Sequence, residues 1–380
     1  MTRGFSIYLD AVRVFAALVV LASHVGYEWA SGGSLLWIRE LNLGSDFVIV
    51  FFVLSGVVIA HTTRVKDKSL GSYAAARLSR LYSVAIPAIL LSYAALVIIA
   101  SYPGASIAAP DIASEVFAAL TFTNYAWFGE TRLPTNGPYW SVAYEFWYYA
   151  LFGAWTFLQG RARLFSLVAI VLIVGVQVLL LFPCWLLGVY VYRRVISSEK
   201  LPMARSAVWV RVLAPLAIYA GCLALKVPFF LKVLTFAALG NISPWTVLHF
   251  SDEFVWNTII AGLVAVHFMG VAQLIAGHQP TDLFVRTVRW LSGRTFSLYL
   301  FHMPLLKIFA NHPAYDPTNS VHVLVCVICV FALCILFAEL TECRLGWWRA
   351  KSARLRNVME SHFERDGAIN WLRRPRSRPS

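Results

Sequence analysis

The chain reads as an all-α polytopic membrane protein with about ten transmembrane helices and both termini in the cytoplasm. Composition is the first reason. Hydrophobic residues make up 59% of the 380 positions and charged ones only 13%, with a mean hydropathy of +0.68. Soluble domains carry roughly twice that charged fraction. The second reason is pattern: apolar stretches long enough to cross a hydrocarbon core recur along the whole chain. They run continuously instead of alternating, which excludes a β-barrel.

The spans follow in order. The first is expected over 11–28; no small-residue cleavage site follows it, so it reads as a retained helix and not a signal peptide. The second, 45–62, precedes Arg64, Lys66, Lys68, Arg77 and Arg80, which place that loop in the cytoplasm. The third, 81–101, leads into a long outer segment bearing Asp111, Glu115, Glu130, Arg132, Tyr125, Trp127 and Phe128. That mixture suits a surface beside a polar, ring-shaped substrate, and an interfacial aromatic belt would look much the same. The fourth span, 140–158, returns to Arg161 and Arg163 inside. The fifth is 163–181. The sixth, 183–195, is short, opened by Pro183 and closed by Arg193 and Arg194, which with Lys200 and Arg205 mark another inner loop.

The seventh span is 208–225. A single crossing within 226–253 would push Arg286, Arg289 and Arg294 outside, so that stretch is expected to stay on the outer side or to enter and return. Gly240 and Pro244 are available to break a helix there. The last three spans are 254–275, 295–311 and 320–340. No internal repeat is visible, which weakens an inverted-repeat transporter reading.

Residues 1–342 thus form an integral membrane domain, and 343–380 a basic cytoplasmic tail, partly disordered. The net charge of +13 invites a nucleic-acid partner, but its placement argues otherwise: the tail after Cys343 holds ten Lys/Arg against three Asp/Glu, and the rest lies mostly in short loops. Topology accounts for that distribution, with contact to anionic lipid as a secondary effect. The six cysteines form no disulfide framework; Cys326 and Cys329 have CxxC spacing inside an unbroken apolar helix and read as packing residues.

Against this background a few polar side chains stand out. Arg13 and His24 lie eleven positions apart, which returns a helix to within ~20° of its starting angle and separates the two by ~16 Å. Titratable groups in lipid are costly and are usually kept for a task. The bland alternative is a snorkelling arginine and an interfacial histidine. Asp10, three residues before Arg13, can hold its guanidinium. In the fourth span Ser141, Glu145, Tyr148 and Tyr149 share a face; Glu145 at the depth of His24 could orient the imidazole by triad logic. A carboxylate in the first turns of a helix is also favoured by the dipole alone. Arg77 and Arg80, one turn apart, would make a phosphate site or simply flank a span. Tyr299 and His302 are neighbours in the ninth span.

In order, these segments resemble the acyltransferase 3 family of membrane O-acyltransferases, which modify sugars and other hydroxyl-bearing acceptors. Tyr8 to Arg13 with His24 is similar to the family's arginine–ten residues–histidine signature, and Phe51 to Gly56 to its second-helix motif. Arg77 to Tyr82, Trp140-Ser141 with Glu145 and Tyr148, and Ser297 to His302 follow in sequence. Departures are Ile49 in place of an acid, with Asp46 a turn earlier as a candidate substitute, Ser83 and Gly153 in place of prolines, and Thr295-Phe296 in place of Ser-Tyr. No extracytoplasmic hydrolase-like domain is expected after the last helix.

The resemblance implies an acyl-CoA donor, most often acetyl-CoA, and a glycan or glycoside acceptor across the bacterial inner membrane. Arg13, Arg77 and Arg80 would hold the CoA phosphates at the inner face. His24, aligned by Glu145, would act as general base or carry the acyl group for a moment. Asp10, Ser141, Tyr148, Tyr299 and His302 would support them. No resident cofactor or metal is expected, since no HExxH or His/Cys cluster is present. A flippase for lipid-linked glycans, or a sensor that has lost the chemistry, would use the same helices differently.

Overall fold

The structure is a computed structural model that describes residues 1–344, except 105–108, 128–130, 199–203 and 279, together with Gly346. Phe128, Glu130, Lys200 and nearly all of the tail expected over 343–380 lie outside the described residues. Among the described residues every regular element is helical. In order they are α1 (Arg3–Val25), α2 (Glu28–Ser31), α3 (Leu36–Glu40), α4 (Leu43–Val65), α5 (Leu70–Ala100), α6 (Ile112–Thr121), α7 (Trp140–Phe157) and α8 (Gly160–Leu180). Then come α9 (Phe182–Ser198), α10 (Arg205–Ala224), α11 (Val227–Ala238), α12 (Pro244–Leu248), α13 (Phe254–Leu274), α14 (Asp282–Ser292), α15 (Thr295–Ala310) and α16 (Ser320–Leu340).

Each of the ten segments expected to span is a helix. Seven helices are long and apolar enough to cross a membrane: α1, α4, α5, α8, α10, α13 with the turns before it, and α16. The other three fall short for physical reasons. Glu145 and its Tyr and Trp neighbours make α7 too polar, while α9 and α15 have 17 and 16 residues, or ~24–26 Å at 1.5 Å per residue. These are inner helices. Ser297 to Leu306 of α15 is buried without a break, so protein and cavity, rather than lipid, surround most of it. The centre of the bundle is α4, whose apolar window is 67% buried, against 17% for α10 and 22% for α8 and α16 at the lipid-facing edge.

Two glycines let α4 and α9 meet backbone to backbone. A Cβ built on Gly188 would stand 2.0 Å from the Val53 carbonyl, and one on Gly56 2.1 Å from the Trp185 carbonyl. Small residues at such crossings are the usual means of packing helices where lipid supplies no hydrophobic drive. At the break in α8, Gly175 adopts φ +77, and the freed carbonyls are not left in lipid: Trp127 donates its backbone N–H to Val174 and its indole N–H to Leu172.

Two helices begin earlier than their apolar runs. Thr2 caps α1 by accepting from the Phe5 N–H, and Phe5, Ile7 and Leu9 are buried, Ile7 against Val285 and Val288 of the amphipathic α14. In α5 a Ser69–Ser72 capping box starts the helix at Leu70, so Arg77 and Arg80 are helical instead of marking a loop. The ambiguous stretch 226–253 holds α11, ~18 Å long, α12, ~8 Å, and one 3-10 turn, His249–Ser251, each too short to cross. Lys232 pairs with Asp252 at 2.8 Å and Glu253 at 3.1 Å, which ties α11 to the start of α13.

Candidate active site

α1, α4, α5, α7 and α15 enclose a cavity of ≈ 630 Å³, within the range of small-molecule sites. One end is formed by the α4–α5 turn, with Lys66, Asp67, Ser72 and Arg77. Farther in are Arg13, Arg80, Glu145 and Tyr149, and Ser141 and Tyr299 also line it. The three arginines picked out in sequence therefore face one space, but they are held differently. Arg77 is 9% exposed and donates to Asp67 at 2.6 Å and Thr62 at 2.7 Å, with its guanidinium 4.9 Å above the Tyr73 ring. Its Nε is buried without a hydrogen-bond partner. Arg13 pairs with Asp10 at 3.6 Å, and Arg80 lies within electrostatic reach of Glu342, Tyr149, Glu145 and Asp10.

The hydroxyl end of the cavity is a small network. Ser141 Oγ donates to the Tyr299 hydroxyl at 2.7 Å, and Tyr299 donates to the Pro138 carbonyl at 3.2 Å. His24 and His302 are not part of the lining. They form a pair of their own: His302 Nε2 lies 3.1 Å from His24 Nδ1, with ring centroids 4.9 Å apart. Tyr299 belongs to both groups, since it lines the cavity and its ring centre is 6.2 Å from that of His302.

Two expected arrangements differ from what the structure shows. Glu145 is not brought to His24: the His24 hydrogen bonds go to the Val20 carbonyl and His302, and the charged side chains acting on it besides His302 are the cations Arg39 and Lys307. Glu145 instead adjoins Tyr149 and sits in reach of Arg13 and Arg80. Tyr148 turns away from the cavity. Its hydroxyl donates to the Val178 carbonyl at 3.0 Å, and its ring packs on Phe52, Phe182 and Trp185. Asp46, the acid a turn before the helix-two motif, also serves elsewhere, accepting from Tyr219 at 2.6 Å and Trp256 at 3.1 Å.

The family profile described as "Acyltransferase domain" matches residues 6–339. This chain belongs to that acyltransferase 3 family. It is similar to the O-acetyltransferase OatA of Staphylococcus aureus, 23% identical over 88% of this chain and 55% of the relative. It is also similar to the acyltransferase MdmB of Streptomyces mycarofaciens, 31% identical over 39% of this chain and 38% of that protein. The chain thus spans about half or less of the curated relatives it matches. No solved structure matches it.

Sequence reasoning overlooked Glu342, which it used only as a domain edge. Its carboxylate accepts from the Ser297 backbone N–H at 3.1 Å and the Ser297 hydroxyl at 3.2 Å, at the start of α15, and it acts on Arg80 and Arg13. An acid directly after the last apolar span, three residues beyond Glu339, was the available signal. Asp67 was overlooked as well, hidden among the basic residues of its turn.

Proposed function

We propose that this protein is a transmembrane O-acyltransferase moving an acyl group, most simply acetyl, from cytoplasmic acyl-CoA to a hydroxyl of an extracytoplasmic glycan or glycoside. The supporting observation is the arrangement of one cavity: guanidinium groups at its mouth and middle, hydroxyls at its end, and a histidine pair just behind Tyr299. In this reading ten helices cross the inner membrane of a bacterium, with both ends of the chain in the cytoplasm. The basic α4–α5 turn then faces the cytoplasm, where the donor is made.

Arg77, Arg80 and Arg13 neutralise the donor phosphates, the planar guanidinium being suited to bidentate contact with phosphate. Glu145, Glu342 and Asp10 keep the arginines extended toward the cavity. The acyl thioester reaches past Ser141 and Tyr299 toward α1. His24 takes the proton of the acceptor hydroxyl, the oxygen attacks the thioester carbonyl, the C–S bond breaks, and the departing thiolate takes up the proton. A transient acyl group on His24 would give the same products in two steps.

The test uses inverted membrane vesicles given acetyl-CoA labelled in its acetyl group. Label should accumulate on extractable glycan, and His24→Ala, at equal protein level, should reduce that label to background. Unchanged labelling in His24→Ala would falsify the assignment. Movement of glycan without label in the wild type would mark a flippase.

A further inference from the structure

From the donor and acceptor pattern around His24, we infer that His302 is a positioning residue for the reaction: it accepts the Nδ1–H of His24 and leaves His24 Nε2 as the working base. This rests on the acyl-transfer reading above and assigns a role that the cavity alone does not.

The protons can be placed from the acceptors. His302 Nδ1 lies 2.9 Å from the Leu298 carbonyl, which can only accept, so His302 carries its proton on Nδ1. In the neutral ring its Nε2 is then a lone pair, and that lone pair is 3.1 Å from His24 Nδ1. His24 Nδ1 also lies 2.9 Å from the Val20 carbonyl. With two acceptors facing it, His24 Nδ1 must bear hydrogen. The opposite assignment would set a nitrogen lone pair against a carbonyl oxygen. His24 Nε2 therefore keeps its lone pair, and among the described residues no hydrogen bond occupies it.

The geometry is stiff on the His302 side. His302 is 1% exposed, sits in the continuously buried stretch of α15, and lies one turn from Tyr299, which touches the cavity. When His24 accepts a proton at Nε2, its Nδ1–H still points at Val20 and His302, and both acceptors stabilise the cation without moving a second proton. This is the service a carboxylate gives a triad histidine. A neutral imidazole does it here without a buried anion, which lipid surroundings make costly.

The experiment compares His302→Leu, His302→Gln and His302→Asn in the labelled-donor assay, with purified protein. Glutamine can place an acceptor oxygen where Nε2 stood, whereas asparagine reaches only the Nδ1 position. Leucine should lower kcat at least about tenfold but by less than the roughly 10²- to 10⁴-fold of a general base itself, with KM for acyl-CoA within twofold. Glutamine should recover at least tenfold over leucine, and asparagine, equally polar, should not. As a second readout, carbethoxylation of His24 by diethyl pyrocarbonate, followed by peptide mass, should slow in His302→Leu. Wild-type kcat in His302→Leu, equal activity of the glutamine and asparagine variants, or unaltered His24 carbethoxylation in His302→Leu would each overturn the proposal. Activity surviving in His24→Ala would instead overturn the base assignment beneath it.

Discussion

Arg77 and Arg80 stand one helical turn apart on α5, yet their partners give them different work. Arg77 is tied to Asp67, whose side chain is only 7% exposed. Removing one member of such a buried pair strands the other charge, at a cost of about 3 kcal/mol or more. Arg77→Ala should therefore lower the unfolding temperature in detergent, and adding Asp67→Ala should restore much of it. Arg80 makes no comparable hydrogen bond among the described residues. Arg80→Ala should lower the unfolding temperature less than Arg77→Ala and raise the KM for acyl-CoA roughly 10- to 100-fold, the value of a charge-assisted hydrogen bond. An unfolding loss equal to that of Arg77→Ala would show that Arg80 holds the fold as firmly as Arg77 does. The pairing of the two arginines was legible in sequence because positive charge gathers at a helix mouth. Their difference was not, since it depends on how a turn ten residues upstream folds back. The His24–His302 contact, 278 residues apart in the chain, was out of reach for the same reason. Each histidine could be found by its cost in lipid, but not its partner.

At the scale of elements, a helix face read from spacing is wide, and the neighbours decide which part of it meets the site. Tyr148 and Tyr149 are about 100° apart on α7. Tyr149 lines the cavity with Ser141 and Glu145, while Tyr148 is turned into the contact with α8 and α9. Tyr148→Phe should consequently lose one buried hydrogen bond, worth about 1 kcal/mol, and keep wild-type kcat and KM. A large drop in kcat would return Tyr148 to the site. The α4–α9 crossing sets a sharper limit. A Cβ at Gly188 meets backbone, which cannot rotate away as a side chain could. Gly188→Ala should force the helices apart and cost at least the 1–3 kcal/mol typical of overpacking. Because α4 also carries Phe51 and Ser55 of the cavity wall, the loss should appear in both heat resistance and turnover, and wild-type values for both would exclude it. Gly56 was visible in the motif, but its counterpart on α9 was not, since no pattern within either helix announces the crossing.

At the scale of the molecule, the two ends of the described bundle lie on one side, and this bears on how many helices cross. Arg3 at the start of α1 bonds Asp282 of α14 at 3.2 Å, and Glu342, past the end of α16, reaches Ser297 at the start of α15 and acts on Arg13. On the other side Tyr315 donates to the Ala30 carbonyl, joining the α15–α16 loop to the α1–α4 loop. A chain whose ends share a side crosses an even number of times. Seven crossings would be odd, so an odd number of the short or polar helices α7, α9 and α15 would have to cross as well, and the proposed ten takes all three. The proposed direction follows the positive-inside tendency, with Lys66, Lys68, Arg286 and Arg289 on the side of the chain ends. Single cysteines at Lys68 and Thr318, in a background with the six native cysteines replaced, test both statements. In intact cells an impermeant maleimide should label Thr318→Cys and spare Lys68→Cys, and opening the membrane should expose the second. Labelling of both from outside would break the even count. Labelling of Lys68→Cys alone would invert the protein, place the arginine mouth opposite the acyl-CoA pool, and leave the proposed donor without access.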